Sequence, residues 1–394
     1  MKFNYYQPTE LLFGCGRVKE LGQVARRFGT RVLLVTVKEF PAVRNQFAMV
    51  KGILAEEGLE VTHFDGVIPN PTVDSIAAGA RMAREFGAHS VIGLGGGSSM
   101  DSAKAIAVEA THEGSCWDYL FYKKPPTTRT LPVIAVSTTS GTGSHVTQVA
   151  VITNPATRDK SAIYHPNVYP KVSIVDPELM VTLPTVVTAP TGFDVLCHAF
   201  ESTVHPNCSP LIELLAWDAI QRVSANLPRV LADGADLEAR ESMAWADTLG
   251  GYCIANAGVT LPHGMGMAIG GMYPQVAHGQ SLAIVYPAFI RFTWQHAVAQ
   301  FAQLARTFDG TLVGMPDIHA AEQCSAVIDG FLRRIGLRVG LADVGVPESE
   351  LEALASQCMV LPDYKGNPRV ATPEEMLALV RESYPAHVRQ GVFA

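Results

Sequence analysis

Residues 90–111 read SVIGLGGGSSMDSAKAIAVEAT. A short apolar run ends in three glycines, Gly95, Gly96 and Gly97, and a helix-forming run opens at Ser98. A buried strand turning directly into a helix is the repeating unit of α/β proteins. Outward from it, VLLVTV (32–37), VTHFDGV (61–67) and LPVIAVST (131–138) read as further strands. Residues 43–58 and 73–87 read as the helices between them. This alternation predicts a mostly parallel, doubly wound sheet. VTQVAVIT and KVSIVD add shorter β-type runs within 145–176. From about residue 184 the texture changes. Helical periodicity dominates 186–204, 209–230, 235–257, 260–272, 280–307, 317–336, 347–358 and 372–383. The expected organisation is an α/β domain over 1–183 and an all-helical domain over 184–394, divided near Leu183–Pro184.

Composition narrows the function classes. The chain has 394 residues, enough for two cores, and 48% hydrophobic with 17% charged residues is a globular composition, not a disordered one. The net charge is −7 and Lys and Arg are scattered, so no nucleic-acid surface is indicated. No apolar run reaches the roughly 18 residues of a membrane span. The opening MKFNYYQPTELLFG has no charged-then-apolar leader. Cys15, Cys116, Cys197, Cys208, Cys253, Cys324 and Cys358 are widely spaced, odd in number and without a CxxC pair. They read as free thiols of a reducing cytoplasm.

Two stretches carry the marks of a phosphate site. Gly95, Gly96 and Gly97 allow close backbone approach, and the helix opening at Ser98 offers free N–H groups with partial positive charge. The stretch is neither GxGxxG nor a P-loop, and a plain tight turn explains it equally well. STTSGTGS (137–144) also follows a strand and consists entirely of Ser, Thr and Gly. Ligands of open α/β sheets sit beyond the carboxyl ends of the strands, so two such loops favour a nucleotide.

The helical half opens on GFDVLCHAFESTVH (192–205). Asp194 and His198 are one helical turn apart in an apolar run, where an unpartnered carboxylate is expensive. LPHGMGMAIGGMYPQVAHGQ adds His263 and His278, each followed by glycine. One carboxylate and three imidazoles suit Fe²⁺ or Zn²⁺ and suit Ca²⁺ or Mg²⁺ poorly. The plainer alternative is an Asp–His hydrogen bond inside a helical core. His63, His89, His112, His165, His205, His296, His319 and His387 have no partner pattern and read as surface or structural. Cys197, Met265, Met267 and Met272 read as packing residues.

The order GGGSSMDSAK, TTSGTGS, DPELMVTLPTVVTAPTGFDVLCHAFES and PHG…AHG resembles the iron-dependent (group III) alcohol dehydrogenases, over residues 1–385. That family takes in lactaldehyde reductases and propanediol dehydrogenases. The resemblance implies a nicotinamide dinucleotide on the first domain and a metal on the second. It implies Asp194, His198, His263 and His278 as metal ligands, and Gly95, Gly96, Gly97 and Ser98 as the pyrophosphate loop. It implies Thr138, Thr139 and Thr142 in the flanking loop, with Asp101 and Lys160 close to the cofactor. The implied reaction passes a hydride between a small alcohol or aldehyde and NAD or NADP, in a cytoplasmic homodimer or larger homo-oligomer.

Three positions depart from the family pattern. His145 stands where a Glu is common, and Met267 stands where a proton-relaying histidine is common. Val37, followed by Lys38, replaces the Asp that would bond the adenosine ribose, which removes repulsion against a 2′-phosphate. A glycerol dehydrogenase-like enzyme, a hydroxyacid–oxoacid transhydrogenase and a non-catalytic nucleotide- or metal-binding sensor are the rival readings.

Overall fold

The computed structural model describes residues 2–385. They form two compact units. One comprises residues 6–183 with Gly234–Ala244, the other residues 2–5, Pro184–Asp233 and residues 245–385.

The first unit is built on strands β1 (Glu10–Phe13), β2 (Arg31–Val37), β3 (Glu60–Val67), β4 (Ser90–Gly95), β5 (Val133–Ser137), β6 (Val149–Asn154), β7 (Asp159–Tyr164) and β8 (Val172–Val175). Its helices are α1 (Leu21–Arg26), α2 (Pro41–Glu56), α3 (Val73–Phe86) and α4 (Gly97–Glu109). Six strands form one parallel sheet in the order β1-β8-β5-β4-β2-β3, and β6 and β7 form an antiparallel pair. Alternate residues of each strand feed opposite faces. Leu33 and Val35 join Ile76 and Ile106 in one core, while Val32 and Leu34 join Leu21, Phe47 and Leu54 in the other. Helices α1 and α2 thus cover one face and α3 and α4 the other, which makes the sheet doubly wound. The chain leaves β2 toward β3 on one side and returns to β4 on the other. The carboxyl ends at that reversal, Val37 and Gly95, are where such sheets receive ligands.

The second unit is helical: α5 (Thr185–Val204), α6 (Pro210–Ala232), α7 (Leu237–Asn256), α8 (Leu261–Met272), α9 (His278–Thr293), α10 (Val298–Phe308), α11 (Asp317–Arg334), α12 (Leu351–Gln357) and α13 (Pro373–Glu382). The opening turns of α7, up to Ala244, group with the sheet. Its aromatic core ties α5 to α9 and α10 through edge contacts of Phe193 with Tyr286 (5.3 Å) and Phe200 with Phe301 (5.0 Å). Among the described residues no helix is long and apolar enough to cross a membrane.

Local details differ from expectation. The helix expected over 280–307 breaks at the 3₁₀ turn Trp294–His296, giving α9 and α10. The helix expected from 347 begins at Leu351, after the 3₁₀ turn Glu348–Glu350. Strands β1 and β7 were not expected.

Candidate metal and nucleotide sites

Close backbone packing assembles the polar quartet. Asp194 and His198 project from α5, His263 from the first turn of α8, and His278 opens α9. A Cβ at Gly279 would fall onto the carbonyl of Pro190, one turn before Asp194, so only glycine lets α9 begin there. A Cβ at Gly266 would lie 3.0 Å from the Ser281 hydroxyl and 3.5 Å from the His278 ring, so α8 also approaches α9 closely.

The three imidazoles converge on one oxygen. Nε2 of His198, His263 and His278 lies 3.4, 3.4 and 3.9 Å from Asp194 Oδ1. The candidate ligand atoms of Asp194, His263 and His278 all lie within 4.8 Å of one another. His198 joins them by stacking on His263 with centroids 4.7 Å apart, and the His263 and His278 centroids are 5.4 Å apart. Asp194, His198 and His263 are buried, and His278 is the most open member, its side chain 24% exposed. Asp194 Oδ1 and His263 Nε2 are buried without a hydrogen-bond partner. Orphaned buried polar atoms are rare, and two that face each other among imidazoles fit the first shell of a transition metal. Burial would raise the Asp194 carboxyl, but His198, His278 and His263 hold it at about 2. Burial would lower His263, but Glu201 and Asp194 hold it at about 10.

Glu201 is the residue sequence reasoning missed. It lies on α5 beyond Asp194 and His198, is fully buried, and its Oε1 accepts from His263 Nδ1 at 2.8 Å. Its Oε2 accepts from the Thr260 backbone N–H at 2.8 Å. A carboxylate partner makes Nδ1 the committed donor, so a metal arriving at the quartet would displace the proton from Nε2 and take its lone pair. The available signal was its spacing: Asp194, His198 and Glu201 recur at i, i+4 and i+7, one helix face.

In the sheet unit the two glycine- and hydroxyl-rich loops interlock. Gly95 has φ 144°, and Gly96 caps α4 without a side-chain bond. A Cβ at Gly96 would lie 3.0 Å from Thr139, and one at Gly97 2.5 Å from Thr142. The Thr138 N–H donates to the Gly95 carbonyl at 3.0 Å. Gly95, Gly96, Ser98, Thr138 and Thr142 remain partly exposed beside the α4 N-terminus, whereas Gly97 and Thr139 are buried.

Asp101 and Lys160 lie deeper. Asp101 Oδ1 accepts from Ser144 Oγ at 2.6 Å and Oδ2 from the Val151 N–H at 3.1 Å. Burial raises its pKa against the pull of Lys104. Fully buried Lys104 donates to Ser144 Oγ (2.8 Å), the Thr147 carbonyl (3.0 Å) and the Val149 carbonyl (2.7 Å), and burial lowers its pKa to about 8. Asp101 and Lys104 therefore brace the second loop from behind. Lys160 Nζ donates to Asn70 Oδ1 at 2.8 Å. Val37 closes β2, next to β4. Among the residues read as packing, Cys197 and Met265 are buried, and Met267 and Met272 are partly exposed. His145 is fully buried; His387 lies outside the described residues.

Comparison with known proteins agrees with this geometry. The family described as iron-containing alcohol dehydrogenase matches residues 8–177, and the C-terminal family of Fe-containing alcohol dehydrogenases matches 188–384. The chain is 34% identical to a 1,3-propanediol dehydrogenase of Klebsiella pneumoniae over 385 residues, 97% of this chain and 99% of that one. It is 32% identical to an NAD-dependent methanol dehydrogenase of Bacillus methanolicus over 383 residues, 96% and 99% of the two chains. The crystal structure of an alcohol dehydrogenase from an archaeal halo-thermophile of a Red Sea brine pool superposes with a TM-score of 0.93 at 34% identity, covering 97% of this chain and 99% of that one. The chain belongs to the iron-containing alcohol dehydrogenases. It is an oxidoreductase acting on alcohols, and this membership favours the dehydrogenase reading over the transhydrogenase, glycerol dehydrogenase-like and sensor alternatives.

Proposed function

We propose that Asp194, His198, His263 and His278 hold one divalent iron ion, with zinc as the alternative, and that the enzyme oxidises small primary alcohols or diols, or reduces the matching aldehydes. The convergence of three imidazole Nε2 atoms on Asp194 Oδ1 carries this reading. A divalent ion held there supplies a Lewis acid beside the substrate oxygen. Glu201 fixes the His263 tautomer, and Asp194 supplies negative charge. A nicotinamide dinucleotide bound to the sheet unit would supply the hydride acceptor for the alcohol carbon, and the hydroxyl proton would pass to water. Met267 carries no proton, so His278, the open edge of the quartet, is where water reaches the site.

Gly95, Gly96, Gly97 and Ser98 at the α4 N-terminus, flanked by Thr138, Thr139 and Thr142, would hold the pyrophosphate. The sheet unit, expected over 1–183, binds the dinucleotide, and the helical unit, expected over 184–394, holds the metal. Asp101 acts by positioning the loop, and Lys160 by its charge. Val37 and Lys38 admit NADP beside NAD. Seven free thiols support a cytoplasmic setting. Exposed Phe3, Tyr5 and Tyr6, just before edge strand β1, support a homo-oligomer. The test is turnover of a small-alcohol panel with NAD⁺ and NADP⁺; absence of turnover with either dinucleotide in iron- or zinc-loaded protein contradicts it.

A further inference from the structure

The helical unit carries an open cavity of about 260 Å³ where α6, α10 and α11 meet. None of these helices supplies a quartet residue. The aromatic wall of the cavity is Phe308 and Phe331, whose rings meet edge-on with centroids 4.6 Å apart. Its floor is the face of α11 on which Ala326 and Gly330 stand one turn apart. A Cβ at Gly330 would meet nothing within 4 Å, so the trough over this glycine is open space.

Two opposite charges line this cavity without meeting. Asp309 Oδ1 accepts from Thr311 Oγ1 at 2.6 Å and from the Thr311 N–H at 2.9 Å, which fixes the carboxylate and holds its pKa below the usual range. Ser224 Oγ donates to the Thr307 carbonyl at 3.3 Å, so its hydrogen is spent and its lone pairs are left to accept. Arg334, in the last turn of α11, lines the same cavity and is exposed. Among the described residues its guanidinium pairs with no carboxylate, Asp309 included, whereas Arg333 and Arg338 both pair with Asp329 and Arg306 pairs with Asp317. The cavity therefore combines a fixed anion, an uncommitted guanidinium fork and an apolar surface.

We propose that this cavity binds a small apolar α-amino acid, with its ammonium on Asp309 and Ser224, its carboxylate on Arg334 and its side chain against Phe308, Phe331 and the Gly330 trough. A lone anion would meet the charge of Asp309 and a lone cation that of Arg334, whereas a zwitterion satisfies both. The volume lies below the roughly 300–1,000 Å³ of sites for drug-sized ligands, which keeps the occupant small. A guanidinium takes a carboxylate through two parallel N–H···O bonds, and each charge-assisted contact is worth a ~10- to 100-fold change in affinity. The site requires neither the metal nor the dinucleotide.

The test is calorimetric titration of the metal-loaded enzyme with L-leucine, with L-leucinamide, which lacks the carboxylate, and with 4-methylpentanoate, which lacks the ammonium. The expected result is saturable binding of leucine at about one site per chain, with both analogues ~10- to 100-fold weaker. Arg334→Met and Asp309→Asn should each weaken leucine by a similar factor. Gly330 sits inside α11 without a positive φ, so Gly330→Leu fills the trough without backbone strain. It should abolish leucine binding while melting temperature, metal content and alcohol turnover stay at wild-type values. No saturable binding of leucine, equal binding of leucine and its two analogues, or wild-type affinity in Gly330→Leu overturns the proposal.

Discussion

His263 Nδ1 lies 2.8 Å from Glu201 Oε1, while Nε2 of the same ring faces Asp194 Oδ1 at 3.4 Å. One imidazole is therefore held between two carboxylates, with one nitrogen committed as donor and the other aimed at the quartet.

Replacing Glu201 by Gln keeps the shape and removes the charge. The expected outcome is a ~10- to 100-fold weaker metal affinity, with activity partly recovered by excess metal. Metal titration of the stripped protein measures it. Wild-type affinity in Glu201→Gln would show that this carboxylate does not tune the site.

Gly279→Ala puts a methyl onto the Pro190 carbonyl, so α9 must move away from α5. Overpacking of this kind costs about 1–3 kcal/mol, and here it also displaces His278. Denaturant melts and bound-metal content should fall together. A stable variant with full metal content would contradict the packing account of the quartet.

Lys104→Met leaves Ser144 and the carbonyls of Thr147 and Val149 without their buried donor. Each unsatisfied group costs about 1–3 kcal/mol, less where its neighbours relax. The expected outcome is a clear loss of stability together with a raised KM for the dinucleotide and little change in metal content. An unchanged dinucleotide KM would separate this buried network from the loop in front of it.

His145 gives a pH dependence of defined sign. Burial, helped by the charge of Lys104, lowers its pKa from 6.5 to about 3. Between those values the unfolded chain binds the extra proton and the folded chain does not. The stability this group contributes is complete above pH 6.5 and is lost as pH falls toward 3, by at most about 1.4 kcal/mol per pH unit. His145→Gln should flatten the acid limb of a stability-versus-pH curve; an unchanged limb would contradict the assignment.

The sheet was legible because its central strands are buried on both faces and appear as unbroken apolar runs, as in VLLVTV and SVIGLG. The edge strand β1, ELLF, is only four residues long, and β7, DKSAIY, is half polar and pairs only with β6, so neither carried that signal. The break between α9 and α10 was hidden because FTWQHAV keeps helical composition through the turn. Asp194, His198, His263 and His278 were readable as residue types in unusually apolar settings. Glu201 was readable only as a spacing, and its partner depends on how α8 meets α5.

The central claim is that one metal ion sits among Asp194, His198, His263 and His278 and that turnover depends on it. The most direct measurement is metal stoichiometry of anaerobically purified wild type and Asp194→Ala, read beside nicotinamide reduction with a small alcohol. The account predicts about one iron or zinc per wild-type chain, and loss of both metal and turnover in the variant. Full metal binding with undiminished turnover in Asp194→Ala would contradict it.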